Sequence, residues 1–468
     1  MGLAFMPEAS APAPYARADA VRRVVREALM AGGLGRRDPA RPLADIIQPG
    51  MSVMLKPNWV LHENRSGRTM DCMVTQPAFL LAVLQEVVAA GAGRVVIADA
   101  PIQSANFDLL APPAWRAAVR EMGGAVPTEI LDLRNTVAAM IDGRLVATVE
   151  RRPPDRFVLF TLGGESCLDA ISDRKGRFRN TSYDPRDMAR VQRRGVHRFL
   201  LCREPLEADV ILNLAKLKAH AKTGLTAALK NLVGLNGDKN FLPHHRVGGS
   251  AMGGDCYEGI KPFKRAAEFC LDMANRRIGR PGYRPWAKAA GMMNRVQGGD
   301  LEGKWHGNDT AWRMVLDLNR LLVYGQADGT LARTPQRRIF SLTDAIVAGQ
   351  RNGPLAPEEI PLGAVTFAEN AVFADLVHAE LMRFDWRRIA LVREAFAPMD
   401  YPLVNARPDA VAVHCEGRVM SAAEAGRAYG RAFRPPDGWV GHIELRPQDA
   451  DPGSGRGQGG RVEVKEPV

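Results

Sequence analysis

The sequence predicts an α/β fold with a mainly parallel sheet, helices on its faces and an antiparallel insertion. Apolar runs of strand length alternate with longer helical patterns along the chain. Residues 51–55, 78–90 and 94–98 form a strand, helix and strand pattern, which favours a right-handed parallel crossover. The apolar runs 145–149 and 157–162 are separated by Pro153-Pro154, so we expect an antiparallel insertion at about residues 144–178.

The remaining elements follow from periodicity and from the residues that begin and end helices. Helical patterns cover residues 17–31, 109–122, 263–277, a stretch beginning at Asp309 or Thr310, and 371–381. Strand patterns cover residues 128–133, 210–214, 338–342 and 364–367. The connection 280–303 is basic and poorly patterned. On the helix that begins at Asp309 or Thr310, Arg313, Asp317 and Arg320 are expected to form a charged face.

At 468 residues the chain is too long for one small core. We expect an N-terminal lead and helix at 1–40, one α/β domain at 41–400, and a C-terminal extension at 401–446. Residues 447–468 are rich in Gly, Asp, Arg and Pro, which predicts a disordered tail.

The formal net charge is +11 and the sequence pI is about 9.6, so an acidic partner is expected. Aromatic residues make up 6% of the chain, and no basic and aromatic RNA-recognition signature is present. We therefore favour an anionic small molecule over nucleic acid as the partner.

The six cysteines are scattered and none forms a C-x-x-C pair, so we expect reduced thiols and no iron–sulfur cluster. No apolar run approaches the roughly 20 residues that a membrane span needs. The N-terminal residues lack a basic region followed by an apolar core, so a cytoplasmic location is expected.

The stretch 208–238 carries the densest chemical signal. A strand at 210–214 is followed by a predicted polar loop with Lys216, Lys218 and His220, and a helix is predicted from Thr223 to a stop at Gly234. Free amides at a helix start attract anions, and lysines and a protonated His220 would add charge. An ordinary solvated turn with exposed lysines is the alternative.

Polar residues also follow two other predicted strands. Lys56 and Asn58 come after residues 51–55, and Asp99 and Gln103 come after residues 94–98. Parallel strands end at one edge of a sheet, so these residues are expected beside Lys216 and His220.

The irregular segment after Asn236 holds Asp238, Lys239, His244, His245, Arg246 and Asp255. These residues could coordinate a metal or bind an anion. Adjacent histidines point in different directions, so at most one is expected to be a ligand. Zinc, manganese or iron would suit such nitrogen and oxygen donors, but the nearby lysines disfavour a cation. Histidines that hydrogen-bond the loop to itself are the alternative.

These motifs resemble the DUF362 family, a domain of unknown function. The resemblance rests on KPNW (56–59), DAPIQ (99–103), KLKAHAKTGLTAALKNLVG (216–234), GDKNFLPHHRVG (237–248), GGD (253–255), GNDTAWRMVLDLNR (307–320), TDAIVAGQRNGPL (343–355) and ENAVFADLVHAELM (369–382). It covers roughly residues 56–396 and implies a bacterial protein, with an association to polysaccharide gene neighbourhoods. The family's iron–sulfur module is absent. Ala215, Ala219, Cys256 and Gln350-Arg351 depart from the family pattern, which puts any family activity of those positions in doubt.

The sequence thus favours an enzyme acting on a phosphorylated or carboxylated small molecule, with a non-catalytic binding or scaffold protein as the alternative. The candidate catalytic residues are His220, Asp99 and Lys230. The candidate binding residues are Lys56, Asn58, Lys216, Lys218, Thr223, Asn231, Lys239, Arg246, Asn308 and Arg313. The candidate metal ligands are His244, His245, Asp238 and Asp255. The sequence identifies neither the reaction nor the oligomeric state.

Overall fold

The computed structural model describes residues 1–7, 13–141 and 144–445. The strands are β1 Gly2–Phe5, β2 Ser52–Pro57, β3 Arg94–Asp99, β4 Thr128–Asp132, β5 Thr136–Ile141, β6 Arg144–Glu150, β7 Phe157–Thr161, β8 Phe178–Arg179, β9 Arg198–Cys202, β10 Val210–Leu214, β11 Lys216–His220, β12 Gly224–Thr226, β13 His245–Arg246, β14 Arg338–Asn352, β15 Ala356–Ala368, β16 Ala412–Cys415 and β17 Arg418–Ser421. The helices are α1 Ala18–Ala31, α2 Pro77–Ala89, α3 Phe107–Leu110, α4 Pro113–Gly123, α5 Pro185–Val191, α6 Glu204–Glu207, α7 Ala228–Asn231, α8 Pro262–Asn275, α9 Tyr283–Gln297, α10 Ala311–Tyr324, α11 Ala371–Leu381, α12 Ala390–Ala395 and α13 Ala422–Tyr429.

A large mixed sheet organises the chain, in the order β17-β16-β1-β15-β14-β10-β2-β3-β4, with β11 and β12 attached at β14. The five strands β14, β10, β2, β3 and β4 are mutually parallel. Counted in chain order, these five have the order 3-2-1-4-5 across the sheet. The direction of winding therefore reverses between β2 and β10, which is where open α/β sheets bind ligands.

Helices cover both faces of this sheet, as the alternation of side chains along its strands requires. Val53 and Leu55 of β2 belong to one buried cluster with Val25 of α1 and Leu84 of α2. Met54, between them, belongs to the cluster on the opposite face, which includes residues of α10 and α11. The predicted α/β class with a mainly parallel sheet is confirmed.

The predicted antiparallel pairs are present, but their partners differ from the prediction. The run at β6 pairs with β5, and the run at β7 pairs with β9, so each partner lies outside residues 144–178. A third pair joins β8 to β13. Local apolar runs identify such strands, but they do not determine which distant segment supplies the hydrogen bonds.

The largest local correction concerns residues 216–231. The predicted polar loop is strand β11, and the predicted helix from Thr223 is wrong, because Gly224–Thr226 forms β12 and pairs with β11. The helix is limited to the short α7. β11 also continues along β14, so ladder hydrogen bonds outweigh the local helical spacing.

Four further predictions need correction. The connection 280–303 contains helix α9, and the strand predicted at 338–342 extends through all of β14. Asp317 and Arg320 do not form an exposed charged face, because both are buried and pair with each other. The start of α10 is capped by Asn308, whose Oδ1 accepts from the amides of Thr310 and Ala311. The predicted helices at 17–31 and 371–381 are confirmed.

The first strand and the last two strands of the described chain all belong to the main sheet. β1 pairs with β15 and β16, and β17 extends the edge beyond β16. The predicted tail 447–468 lies outside the described residues. All six cysteines are free thiols, and no described helix is long and apolar enough to cross a lipid bilayer.

Candidate functional site

A cavity of about 1170 Å³ opens at the carboxyl ends of β2 and β3, beside the point where the strand order reverses. Of the predicted site residues, the structure brings Lys56, Asn58, Asp99, His220, Lys230, Asn231, Lys239 and His244 into its wall. Lysines outnumber carboxylates in this wall. The cavity therefore has the location and the charge expected of an anion site.

A buried ion pair between Lys56 and Asp99 forms the floor of the cavity. Lys56 Nζ lies 2.8 Å from Asp99 Oδ1, and Asp99 Oδ2 accepts from the Trp59 amide at 2.7 Å. Burial lowers the pKa of Lys56 and raises that of Asp99, and the charge of each partner opposes this effect. A Cβ on Gly234 would lie 2.1 Å from Asp99 Oδ1, so glycine permits the close approach of the α7 segment.

Amide side chains connect this floor to the sheet. Asn231 Oδ1 accepts from Asn58 Nδ2 at 2.8 Å and from Lys56 Nζ at 3.3 Å. Asn231 Nδ2 donates to Asn213 Oδ1 and to the Lys56 carbonyl. Each buried polar group thus has a partner, so the network holds β2, β10 and α7 in one arrangement.

Lys216 and Lys218 lie on one face of β11, but neither lines the cavity. Lys216 Nζ lies 3.0 Å from Asp344 Oδ2 and donates to the Tyr15 hydroxyl at 2.7 Å. Lys218 Nζ donates to Asn58 Oδ1 and to the Met73 carbonyl, and burial lowers its pKa to about 7. Both lysines therefore bind protein groups in the interior.

Two other lysines line the cavity and have no protein partner for their ammonium groups among the described residues. Within the described residues, the ammonium groups of Lys222 and Lys230 make no hydrogen bond or ion pair, and both residues line the cavity. Burial, aided by neighbouring lysines, lowers the pKa of Lys230 to about 7. The nearby Thr226 hydroxyl is buried, lines the same wall and also has no hydrogen-bond partner. These three groups remain available to a ligand.

His220 and His244 face the cavity as neutral imidazoles with opposite proton positions. Burial lowers the pKa of each well below the ordinary value, and the surrounding lysines add to this effect, which disfavours a protonated His220. His220 Nδ1 accepts from the Lys222 amide at 3.0 Å, which places its proton on Nε2. His244 Nδ1 donates to the Leu242 carbonyl at 2.8 Å, which leaves Nε2 as an acceptor.

Besides Lys216 and Lys218, four of the predicted binding residues lie outside the cavity wall. Thr223 donates its hydroxyl to the Leu225 carbonyl, and Asn308 donates to the carbonyls of His244 and Gly303. Arg246 pairs with Asp255, and Arg313 pairs with Asp309. Thr223 thus bonds within the turn between β11 and β12, and the other three residues hold the loops around the start of α10.

The predicted metal ligands are not brought together. Asp238 accepts from the Asn240 amide and from Asn135 Nδ2, and Asp255 accepts from Arg246, Thr310 and Asp309. His245 lies in β13 outside the cavity wall, so the two adjacent histidines do point apart. Over residues 1–7, 13–141 and 144–445, no three His, Cys, Asp or Glu side chains are placed to hold a metal ion.

The sequence interpretation missed Lys222 and the C-terminal wall of the cavity. Lys222 lies two residues beyond His220, and the same basic run could have identified it. The C-terminal wall includes Asp437, Gly438 and His442. Trp439, between them in the chain, anchors this segment by donating Nε1 to the Ala221 carbonyl at 2.7 Å. No local signal marks these residues, because a contact between positions more than 200 residues apart depends on the fold.

Residues 166–380 match the family model described as a domain of unknown function, DUF362. A protein named thylakoid-associated protein sll1697, from Synechocystis sp., is 28% identical over 199 residues, which are 42% of this chain and 43% of that protein. The matched region therefore spans less than half of that relative.

A crystal structure of a protein from Thermotoga maritima aligns with 75% of this chain and 55% of its own chain, at 9% identity and a TM-score of 0.33. The family match begins after Lys56 and Asp99, but it includes β10, β11 and α7 as well as His220 and His244. The resemblance to the DUF362 family is thus confirmed over residues 166–380.

Proposed function

We propose that this protein is an enzyme that acts on a small molecule carrying a phosphate or carboxylate group. The observation that carries this proposal is the pair of unpartnered ammonium groups, Lys222 and Lys230, in the same cavity as two neutral histidines. A bound anion would interact favourably with these partly desolvated lysines and would accept a hydrogen bond from Thr226.

The two histidines support a proton-transfer reaction. Nε2 of His244 can accept a proton as a general base, while the Nε2–H of His220 can donate a hydrogen bond to a substrate oxygen on which negative charge develops. Burial, together with the positive charge nearby, lowers the pKa of both rings and so favours the neutral imidazole near pH 7. Asp99 acts through Lys56 as a positioning residue, since its second oxygen is already bonded to a backbone amide.

A sugar derivative is the substrate class that we favour within this proposal. Beyond the lysines, the wall offers amide, hydroxyl and carboxylate groups suited to sugar hydroxyls, including Asn180, Ser104 and Glu258. This chemistry also agrees with a role in polysaccharide-related metabolism.

Ligand binding is tested by thermal-shift screening with inorganic phosphate, sugar phosphates, sugar acids and nucleotide sugars. We expect at least one of these anions to stabilise the wild type and to lose most of this effect with Lys230→Ala. Lys175→Ala is the matched control, because Lys175 is exposed and lies outside the cavity. If no anion stabilises the wild type, or if both variants respond alike, the proposal fails.

The alternative, a non-catalytic binding or scaffold protein, is separated from an enzyme by His220→Gln. A stabilising compound is incubated with each protein and its conversion is followed by mass spectrometry. We expect His220→Gln to keep the thermal shift while conversion falls by roughly 10²–10⁴-fold. Binding by the wild type without any conversion would favour the scaffold function.

A further inference from the structure

The hairpin of α8 and α9 has a small core of its own, separate from the two large clusters on the faces of the main sheet. This core includes Cys256, Tyr257, Ala267 and Leu301. Along its 15 residues, α9 buries one residue, Ala290. The opposite side of this helix therefore lacks a partner within the described chain.

The exposed side of α9 combines basic and apolar residues in one stripe. Arg284, Lys288, Met292, Arg295 and Val296 recur at helical spacing and are all exposed. Met292 and Val296 are 59% and 63% exposed. On the neighbouring α8, Phe263 and Phe269 are also large exposed apolar residues, and Ile260 precedes them.

The charge of this stripe is not neutralised. No acidic residue occurs in α9, and within the described residues Arg284, Lys288 and Arg295 make no ion pair. The two acidic residues of α8 are engaged elsewhere, since Asp272 pairs with Arg179 and Glu268 accepts from Gly248 and Tyr257. The outer surface of the hairpin is therefore both basic and apolar.

We infer that the α8–α9 hairpin docks on an anionic lipid surface. A helix that lies in a membrane interface presents apolar side chains to the acyl boundary and basic side chains to the headgroups. The exposed side of α9 provides both in one stripe. This docking goes beyond the proposed function and does not depend on it.

The other occupants fit less well. A symmetric dimer through this face would bring Arg284, Lys288 and Arg295 against their own copies, which repel. Nucleic acid would satisfy the positive charge but would offer no burial to Met292, Val296 and Phe269. An anionic bilayer satisfies both requirements.

Docking would also bring the cavity close to the membrane. Lys264 of α8, Ile278 in the turn of the hairpin and Tyr283 at the start of α9 all line the cavity. The surface and the cavity are thus two sides of the same hairpin.

The test is co-sedimentation of the full chain with vesicles of phosphatidylglycerol and phosphatidylcholine, compared with vesicles of phosphatidylcholine alone. We expect binding to the anionic vesicles only. Neutralising the stripe with Arg284→Gln, Lys288→Gln and Arg295→Gln should weaken the partition coefficient by roughly 100-fold, since each basic residue contributes roughly fivefold. The matched control is Arg174→Gln, Arg193→Gln and Arg194→Gln, three exposed arginines elsewhere, which should bind like the wild type.

The apolar contribution is tested by Met292→Asp with Val296→Asp, and Leu109→Asp is the control because Leu109 is equally exposed. We expect the double variant to lose at least tenfold in vesicle binding and the control to lose none. Circular dichroism confirms that each variant is folded.

Three results would overturn the inference. They are absence of vesicle binding by the folded wild type, equal binding by the stripe and control variants, and binding of a labelled DNA duplex or formation of a dimer through this stripe in place of vesicle binding.

Discussion

Lys216 and Lys218 lie a few residues from Lys222 and Lys230, yet the two pairs are in opposite situations. The first pair is fully buried and each ammonium group bonds to protein groups such as Asp344 or Asn58. The second pair lines the cavity without a protein partner in the described chain. The first pair fixes β11 against β14 and β2, whereas the second is left available to an anion.

This difference separates a structural role from a binding role for the same type of residue. A buried charge that has a partner stabilises one arrangement of its neighbours, and losing the partner is costly. A partly buried charge without a partner reduces stability and gains its partner when a ligand arrives. The predictions below use this contrast.

The largest effect is expected from Lys216→Met. It leaves Asp344 buried without its cationic partner, so the free energy of unfolding should fall by about 3–5 kcal/mol. Urea denaturation followed by circular dichroism measures this change, and the exposed Lys175→Met should cost less than about 0.5 kcal/mol. A loss as small as that of the control would contradict the structural role of Lys216.

Gly234→Ala should destabilise the floor of the cavity. The new Cβ would lie 2.1 Å from Asp99 Oδ1, so the Lys56–Asp99 pair must shift. We expect a loss of about 1–3 kcal/mol and weaker anion binding. Gly164→Ala is the matched control, because a Cβ there meets nothing within 4 Å. Equal stability of the two variants would show that the close approach does not matter.

Anion affinity should fall as the pH rises through 7. The pKa of Lys230 in the free protein is about 7, so its ammonium form is lost above that pH. For a carboxylate ligand, whose own charge is constant, we expect about tenfold weaker binding at pH 8 than at pH 6. Lys230→Arg should remove this dependence, because arginine stays charged. Isothermal titration calorimetry compares the two proteins, and identical pH profiles would exclude Lys230 as the binding group.

The smallest effect is a stabilisation. Lys230→Met removes an unpartnered, desolvated charge, so the unliganded protein should gain about 1 kcal/mol at pH 7. The sign follows from linkage: the pKa of Lys230 is lowered on folding, so the unfolded chain binds more protons between pH 7 and 10, and the wild type gains stability as pH rises. The advantage of the variant should therefore shrink toward pH 10. Thermal unfolding at both pH values measures it, and a destabilised variant would contradict the binding role.

Much of the fold could be predicted from local patterns. The strand–helix–strand unit at β2, α2 and β3 is marked by long periodic runs, and α11 has the predicted bounds. The edge of the sheet that carries Lys56, Asn58 and Asp99 also follows from the parallel class alone, because all parallel strands end on one side.

The local structure around Lys216 could not be predicted in this way. Residues 223–232 have helical spacing, but β11 and β12 pair with each other and β11 also pairs with β14, a strand more than 100 residues away. Such long-range hydrogen bonds cannot be predicted from the residue pattern of a short stretch of sequence. The same limit applies to Asp344, which lies on β14 and is the partner of Lys216.

By itself, the sequence determined the α/β class and the resemblance to DUF362, and it predicted that His220 and Lys230 lie near the carboxyl edge of the sheet. Only the tertiary structure decided which lysines lack a partner among the described residues, which nitrogen of each cavity-lining histidine is hydrogen-bonded, and that Asp238 and Asp255 bond to groups of their own loops. The physical reason is that residue type sets what a side chain can bind, whereas its partners and its burial arise from contacts between distant segments.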